Sequence, residues 1–159
     1  MQLDKAIDIS PKELTDMNIK GVILDVDNTL CIKKGKEILH GVTKWLKDLK
    51  DNNIKVIILS NAKPNRMEKI SQRLGLDFVA LGLKPLPFGY IRASKRMNVK
   101  IKNCAVIGDQ IFTDILGGNL LNIKTILVSP VELETSFGFK IKRALERKIL
   151  KKHHLKCDF

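Results

Sequence analysis

The chain has 159 residues and carries 29 lysines and arginines against 17 aspartates and glutamates, a net charge of +12. That length suits one domain with its own core, and a composition 44% hydrophobic and 29% charged belongs to ordinary globular proteins rather than disordered or membrane-embedded ones. The surplus of positive charge favours nucleic acid, acidic lipid or phosphorylated substrates, without choosing among them.

No apolar run reaches spanning length and no secretory h-region is visible, so neither a transmembrane helix nor a signal peptide is expected. The cysteines, Cys31, Cys104 and Cys157, are odd in number, far apart and in no CxxC pair, which argues for reduced thiols in a cytoplasmic protein. Cys104 opens an apolar strand and reads as core. Cys157 follows His153 and His154, but too few ligands are in sight for a metal site, and the segment reads as a basic tail.

In chain order, Ser10-Pro11-Lys12-Glu13 is a capping box that predicts a short helix. Residues 19–25 form a first strand. Residues 40–50 space Val42, Trp45, Leu46 and Leu49 as one helical face. A nearly continuous apolar run over 54–61 is a second strand, 64–74 a helix entered at a proline, and 77–81 a short third strand. A helix over 87–97, a fourth strand over 103–109, a helix over 112–121 that tolerates Gly117 and Gly118, and a fifth strand over 123–129 complete the series. Apolar strands alternating with helices predict an α/β fold: one Rossmann-like, three-layer domain over 1–159 with a parallel five-stranded sheet.

In such sheets ligands bind beyond the carboxyl ends of the strands. The first strand ends in Asp25-Val26-Asp27-Asn28-Thr29, the second in Ser60-Asn61, and the fourth in Gly108-Asp109-Gln110 with Asp114 five positions on; Lys84-Pro85 follows the third. No histidine lies near these ends, which leaves Ser60 without a base, and there is no GxxxxGK[ST] loop. Carboxylates with a lysine and a serine suit magnesium and a phosphoryl group. Asp25 can attack phosphorus as a carboxylate nucleophile, while Asp27 protonates the leaving oxygen and then activates water. Taken singly, each group has a plainer reading as a turn, a helix cap or a solvated side chain; those readings leave their shared position at strand ends unexplained.

Asp25-Val26-Asp27-Asn28-Thr29, Ser60, Lys84, and Gly108-Asp109 with Asp114 occur in the order of the four motifs of the haloacid dehalogenase-like phosphatases, which the chain resembles over about residues 19–130. The resemblance implies that Asp25 is nucleophile and magnesium ligand, and that Asp27 is acid and base and lends its backbone carbonyl to Mg2+. Asp109 would complete the metal site, with Asp114 behind it. Ser60 and the backbone of Asn61 would hold phosphoryl oxygens, Lys84 would neutralise nucleophile and phosphate, and Asn28 and Thr29 would shape the loop.

The gaps from Asp25 to Ser60 and from Ser60 to Lys84 hold 35 and 24 positions, too few for an inserted cap domain, so an open site is expected. Open sites suit a phosphate on a large object. Residues 138–159 form a basic amphipathic helix or tail in which Ile141, Ala144, Leu145 and Ile149 make one apolar face amid seven cations, a pattern that fits an anionic membrane surface or packing on the domain itself. The short, capless pattern resembles the branch of the family containing phosphatidylglycerophosphate phosphatases, which implies dephosphorylation of that anionic phospholipid at the inner face of a membrane. A soluble sugar or nucleotide phosphate, a nucleic-acid end, and a non-catalytic nucleic-acid-binding module remain alternatives, the last disfavoured by an aromatic content of 5%.

Overall fold

The computed structural model describes residues 1–33, 35–132 and 137–152, with side chains in the last segment placed from 142 onward. His153, His154 and Cys157 lie outside the described residues. The strands are β1 (Gln2–Leu3), β2 (Gly21–Leu24), β3 (Cys31–Ile32), β4 (Glu37–Ile38), β5 (Lys55–Leu59), β6 (Asp77–Val79), β7 (Cys104–Gly108) and β8 (Lys124–Val128). The helices are α1 (Pro11–Asp16), α2 (Val42–Asp51), α3 (Pro64–Leu74), α4 (Pro87–Met97), α5 (Leu116–Asn119) and α6 (Phe137–Lys152).

Six strands make one parallel sheet in the order β1-β8-β7-β2-β5-β6. The five expected strands are all present. The sixth, β1, is a two-residue edge strand pairing Gln2 with Leu127 and Leu3 with Val128, too short to announce itself by periodicity. A second addition is the antiparallel hairpin β3–β4, which pairs Cys31 with Ile38 and Ile32 with Glu37 and was not expected either. The hairpin, α2 and α3 occupy the gaps in which a cap would sit, and no inserted domain appears among the described residues.

The period of two along each strand sorts its side chains into two cores. Val22 and Leu24 of β2, Ile58 of β5 and Ala105 and Ile107 of β7 pack with Leu14, Trp45, Leu49 and Met67 of α1 to α3. Ile23, Ile57, Leu59 and Val106 point the other way, against Tyr90, Ala93 and Met97 of α4. Trp45 is buried, and its indole N–H donates to the Ile9 carbonyl at 2.8 Å, which makes it a core residue. Cys31 and Cys104 are free and fully buried, and burial pushes both thiols up to about 11, so neither is a nucleophile near neutral pH.

The expected helix over 112–121 is a π-helical turn, Ile111–Ile115, running into α5. That wider turn keeps Asp114 buried just behind the end of β7. Gly108 makes the arrangement feasible, since a Cβ there would lie 2.6 Å from Asp114 Oδ2.

Candidate active site

β2 lies between β7 and β5, and from it the chain builds β5 and β6 on one side and then β7 and β8 on the other, so its carboxyl end is the topological switch point. The ladder extends one residue beyond β2, with Asp25 N–H donating to the Ile107 carbonyl at 3.0 Å, and this fixes Asp25 at the mouth of the sheet. Lys84 arrives from the loop after β6. Its Nζ donates to Asp25 Oδ1 at 2.5 Å and to Asp114 Oδ1 at 2.7 Å, and all three side chains are buried. The loop is held by Asn61, whose Oδ1 accepts from Lys84 N–H at 2.7 Å while its Nδ2 donates to the Lys84 carbonyl at 3.1 Å. The Asn61 side chain is therefore a clamp on Lys84, which leaves the backbone of Asn61 for the phosphate contact expected of it. Ser60 is buried, and its Oγ accepts from Ala62 N–H at 3.1 Å, which leaves the hydroxyl proton to donate.

Asp27 occupies different surroundings. Its side chain is about one-third exposed, and its Oδ1 accepts from Arg66 Nη2 on α3. Asn28 turns the chain at φ 61° and accepts from Glu132 N–H at 2.9 Å. Glu132 in turn accepts from Lys33 N–H at 2.8 Å, tying the β3–β4 hairpin to the segment after β8. Thr29 is buried beneath this loop.

Asp109 is fully buried at the end of β7. Arg143 of α6 donates through Nη1 to the Asp109 carbonyl at 2.7 Å and through Nη2 to Asp109 Oδ2. Glu146 binds Arg143 Nη1 at 2.8 Å and accepts from Ile111 N–H at 2.9 Å, which anchors α6 on the loop that carries Asp109 and Asp114. The inward face of α6 is thus Arg143, Glu146 and Leu150. Ala144 and Leu145, part of the apolar face that the sequence offers either to a membrane surface or to the domain, are exposed, and Ile149 is half-buried, while the Ile141 side chain lies outside the described ones. The reason is electrostatic, because the buried Asp109 carboxylate offers Arg143 a stronger partner than any apolar contact available to Leu145.

Among the described residues the buried ionic side chains are Asp25, Asp109, Asp114 and Glu146 with Lys84 and Arg143. Four carboxylates against two cations leave two negative charges in low dielectric, a costly state without a counter-ion. Ligand oxygens of Asp25, Asp109 and Asp114 lie within 4.8 Å of one another, and Asp109 Oδ1 is buried with no hydrogen-bond partner. An unpaired carboxylate oxygen in a carboxylate cluster short of two positive charges fits a divalent cation, so these three residues are fitted to hold one. The Asp27 carboxylate, paired with Arg66, stands outside this group.

The same deficit shows in the acidities. Burial raises Asp25 to about 6, although Lys84 pulls it down. Burial, and then Asp25, raise Asp109 well above the ordinary carboxylate range, against the pull of Arg143. Burial lowers Lys84, but Asp114 and Asp25 more than reverse this and hold the ammonium above the ordinary lysine value.

Arg66, Arg143 and Glu146 are members of the site that sequence reasoning missed. A signal existed for one of them: Glu146 is the single acid among the cations of 137–156, and a lone acid in a basic helix has a reason to be there. Arg66 had none, as a polar residue in the first turns of an amphipathic helix.

Comparison with known proteins agrees with this geometry. The chain is 39% identical over 142 residues to the protein named probable phosphatase YqeG of Bacillus subtilis, covering 89% of this chain and 83% of that one. Among solved structures, a 4-nitrophenylphosphatase from Thermotoga maritima superposes with a TM-score of 0.63 at 14% identity, over 75% of this chain and 89% of that chain. NagD from Escherichia coli K-12 superposes with a TM-score of 0.59 at 15% identity, over 72% and 90%. These two likenesses are of fold. A family model for haloacid dehalogenase-like hydrolases matches residues 31–122, more than half of the chain, starting two residues after Thr29. The chain belongs to the haloacid dehalogenase-like hydrolases.

Proposed function

We propose that the protein is a magnesium-dependent phosphomonoesterase working through an aspartyl-phosphate on Asp25. The observation that carries this reading is the buried centre at the end of β2, where Asp25, Asp109 and Asp114 are short of two positive charges and Lys84 touches the proposed nucleophile. A bound magnesium ion supplies charge neutralisation, so that a phosphate dianion can approach a carboxylate. An Asp25 carboxylate oxygen forms the bond to phosphorus as the ester P–O bond breaks, and Asp27 gives its proton to the departing oxygen. Asp27 then takes a proton from water, whose oxygen attacks phosphorus, and Asp25 leaves as a carboxylate. Lys84 holds Asp25 and meets the phosphoryl charge, while the Ser60 hydroxyl and the Asn61 N–H bind phosphoryl oxygens. Asp114 orients Lys84 and closes the carboxylate cluster.

For substrate we propose phosphatidylglycerophosphate, hydrolysed to phosphatidylglycerol by an enzyme of the cytoplasm that rests on the inner face of a membrane. Three features support a lipid. No cap stands among the described residues to enclose a small metabolite. The loop that delivers Lys84 exposes Leu81, Leu83 and Leu86, and the first turn of α4 adds Phe88, each about half or more exposed. Leu81 and Leu83 take φ of 46° and 54°, a conformation that costs a leucine roughly 1 kcal/mol or more, so the chain accepts strain to present them outward. Finally, residues 78–108 contain six cations and no acid, and Arg147, Lys148, Lys151 and Lys152 are exposed on α6. No helix among the described residues is long and apolar enough to cross a membrane, so contact would be peripheral.

The test is phosphate release from phosphatidylglycerophosphate in mixed micelles, with magnesium and with chelator, beside soluble phosphate esters. Magnesium-dependent release from the lipid at a kcat/KM well above that for soluble esters is expected. Release from soluble esters alone rejects the lipid substrate and keeps the chemistry.

A further inference from the structure

Between the β3–β4 hairpin and α3 lies a cleft of about 520 Å³ lined by Lys36, Arg66, Lys69, Ile70 and Arg73, with Gly35 at its edge. Positions 66, 69, 70 and 73 follow helical spacing, so one face of α3 forms a wall. No acidic side chain lines the cleft, and among the described residues the Lys36 and Lys69 ammonium groups have no ion-pair partner. Arg66 is paired with Asp27, but Lys36, Lys69 and Arg73 share this space with no ion-pair partner among the described residues, and their mutual repulsion is relieved by an anion.

The walls are fixed in advance. Arg73 Nη1 donates to the Gly35 carbonyl at 2.8 Å, and Gly35, at φ 83°, packs on Ile70 so closely that a Cβ would collide with it. At the other end Arg66 both lines the cleft and binds Asp27. A guanidinium has five N–H donors, so this residue joins the cleft to the proposed general acid while keeping donors for a ligand.

We propose that this cleft is a second anion subsite of the same active centre, built to hold a further phosphate on the substrate while the phosphomonoester reaches Asp25. The proposal rests on the phosphatase reading and sharpens its substrate class to esters with two anionic groups a short linker apart. A phosphodiester in a lipid headgroup and a second phosphate on a soluble ester share that chemistry. The volume is enough for one phosphate and its linker.

The test compares wild type with the double variant Lys36→Glu/Lys69→Glu on p-nitrophenyl phosphate, on glycerol 1,3-bisphosphate and on short-chain phosphatidylglycerophosphate. The expected result is a fall in kcat/KM of about tenfold or more on two-anion compounds, carried by KM, with p-nitrophenyl phosphate changed less than twofold and Lys36→Arg/Lys69→Arg close to wild type. A fall on both two-anion compounds assigns the subsite to the phosphate group itself, and a fall on the lipid alone assigns it to the headgroup. An equal fall on all three compounds, or no fall on either two-anion compound, overturns the proposal.

Calorimetry separates this failure from failure of the phosphatase reading. If no ester is hydrolysed, glycerol 1,3-bisphosphate binding about tenfold more tightly than glycerol 3-phosphate to wild type, with that preference lost in the charge-reversed variant, sustains the subsite. Equal or absent binding of the two overturns it.

Discussion

Asp25 and Asp27 are two residues apart and live in opposite surroundings. Asp25 is buried, held by Lys84 and part of a carboxylate cluster, whereas Asp27 is about one-third exposed and pairs with Arg66 on a neighbouring helix. In the proposed mechanism this difference divides the labour between them. A nucleophile must be fixed in line with its target and kept away from water, whereas a proton carrier must reach solvent between steps. The backbone enforces the split: Asp25 still belongs to the sheet ladder through Ile107, while Asp27 has left it for the turn that Asn28 makes at positive φ.

The strongest way to break this comparison is to neutralise each acid in turn. Asp25→Asn should lower kcat by on the order of 10³-fold or more on every ester, since no carboxylate remains to attack. Asp27→Asn should cost about 10²-fold or more on an alkyl phosphate. It should cost much less in the first step with p-nitrophenyl phosphate, whose leaving group needs no proton; burst kinetics on the two esters would show whether it does. Equal losses for both variants on both esters would erase the division of roles.

The partner cations differ in the same sense. Lys84→Met leaves Asp25 and Asp114 buried without their shared cation and should destabilise the metal-free protein by about 3–5 kcal/mol in urea unfolding. Arg66→Met removes a partner that is about one-third exposed and should cost no more than about 1 kcal/mol. Similar costs would mean that the two environments are not distinct.

Acidity provides a subtler contrast. Burial raises Asp25 to about 6 in the absence of a cation. A carboxyl raised in the folded state favours folding most below its ordinary value near 4, and that advantage is lost as pH rises through about 6. Magnesium bound at the proposed site would compete with that proton and favour the ionised form. The magnesium-induced rise in melting temperature should therefore be larger at pH 7 than at pH 5, and an equal rise at both would place the ion away from Asp25.

The strand ends were legible in the sequence because the candidate residues sit where continuous apolar runs stop, and such runs can be read without coordinates. Asp25, Ser60, Lys84, Asp109 and Asp114 fall where that logic put them, and the structure gathers Asp25, Lys84, Asp109 and Asp114 into one buried cluster. Legibility ended where a residue's meaning depends on its partner. Arg143 looks like one more cation of a basic helix until Asp109 is seen beneath it, and Arg66 acquires a role only once α3 is laid beside the Asp27 loop. Which face of α6 turns inward was hidden for the same reason: periodicity records where greasy residues recur, and a buried carboxylate on another element can decide the face that docks. Strands of two residues, β1, β3 and β4, carry too little pattern to be read at all.

The central claim is that the buried centre lacks two positive charges and that one divalent cation supplies them. Calorimetric titration of magnesium into the metal-free protein, beside Asp109→Asn, tests it most directly. The account predicts one site per chain in wild type, binding linked to proton release at pH 6, and loss of most of the affinity in Asp109→Asn. Absence of binding at millimolar magnesium, or binding unchanged by the substitution, would contradict it.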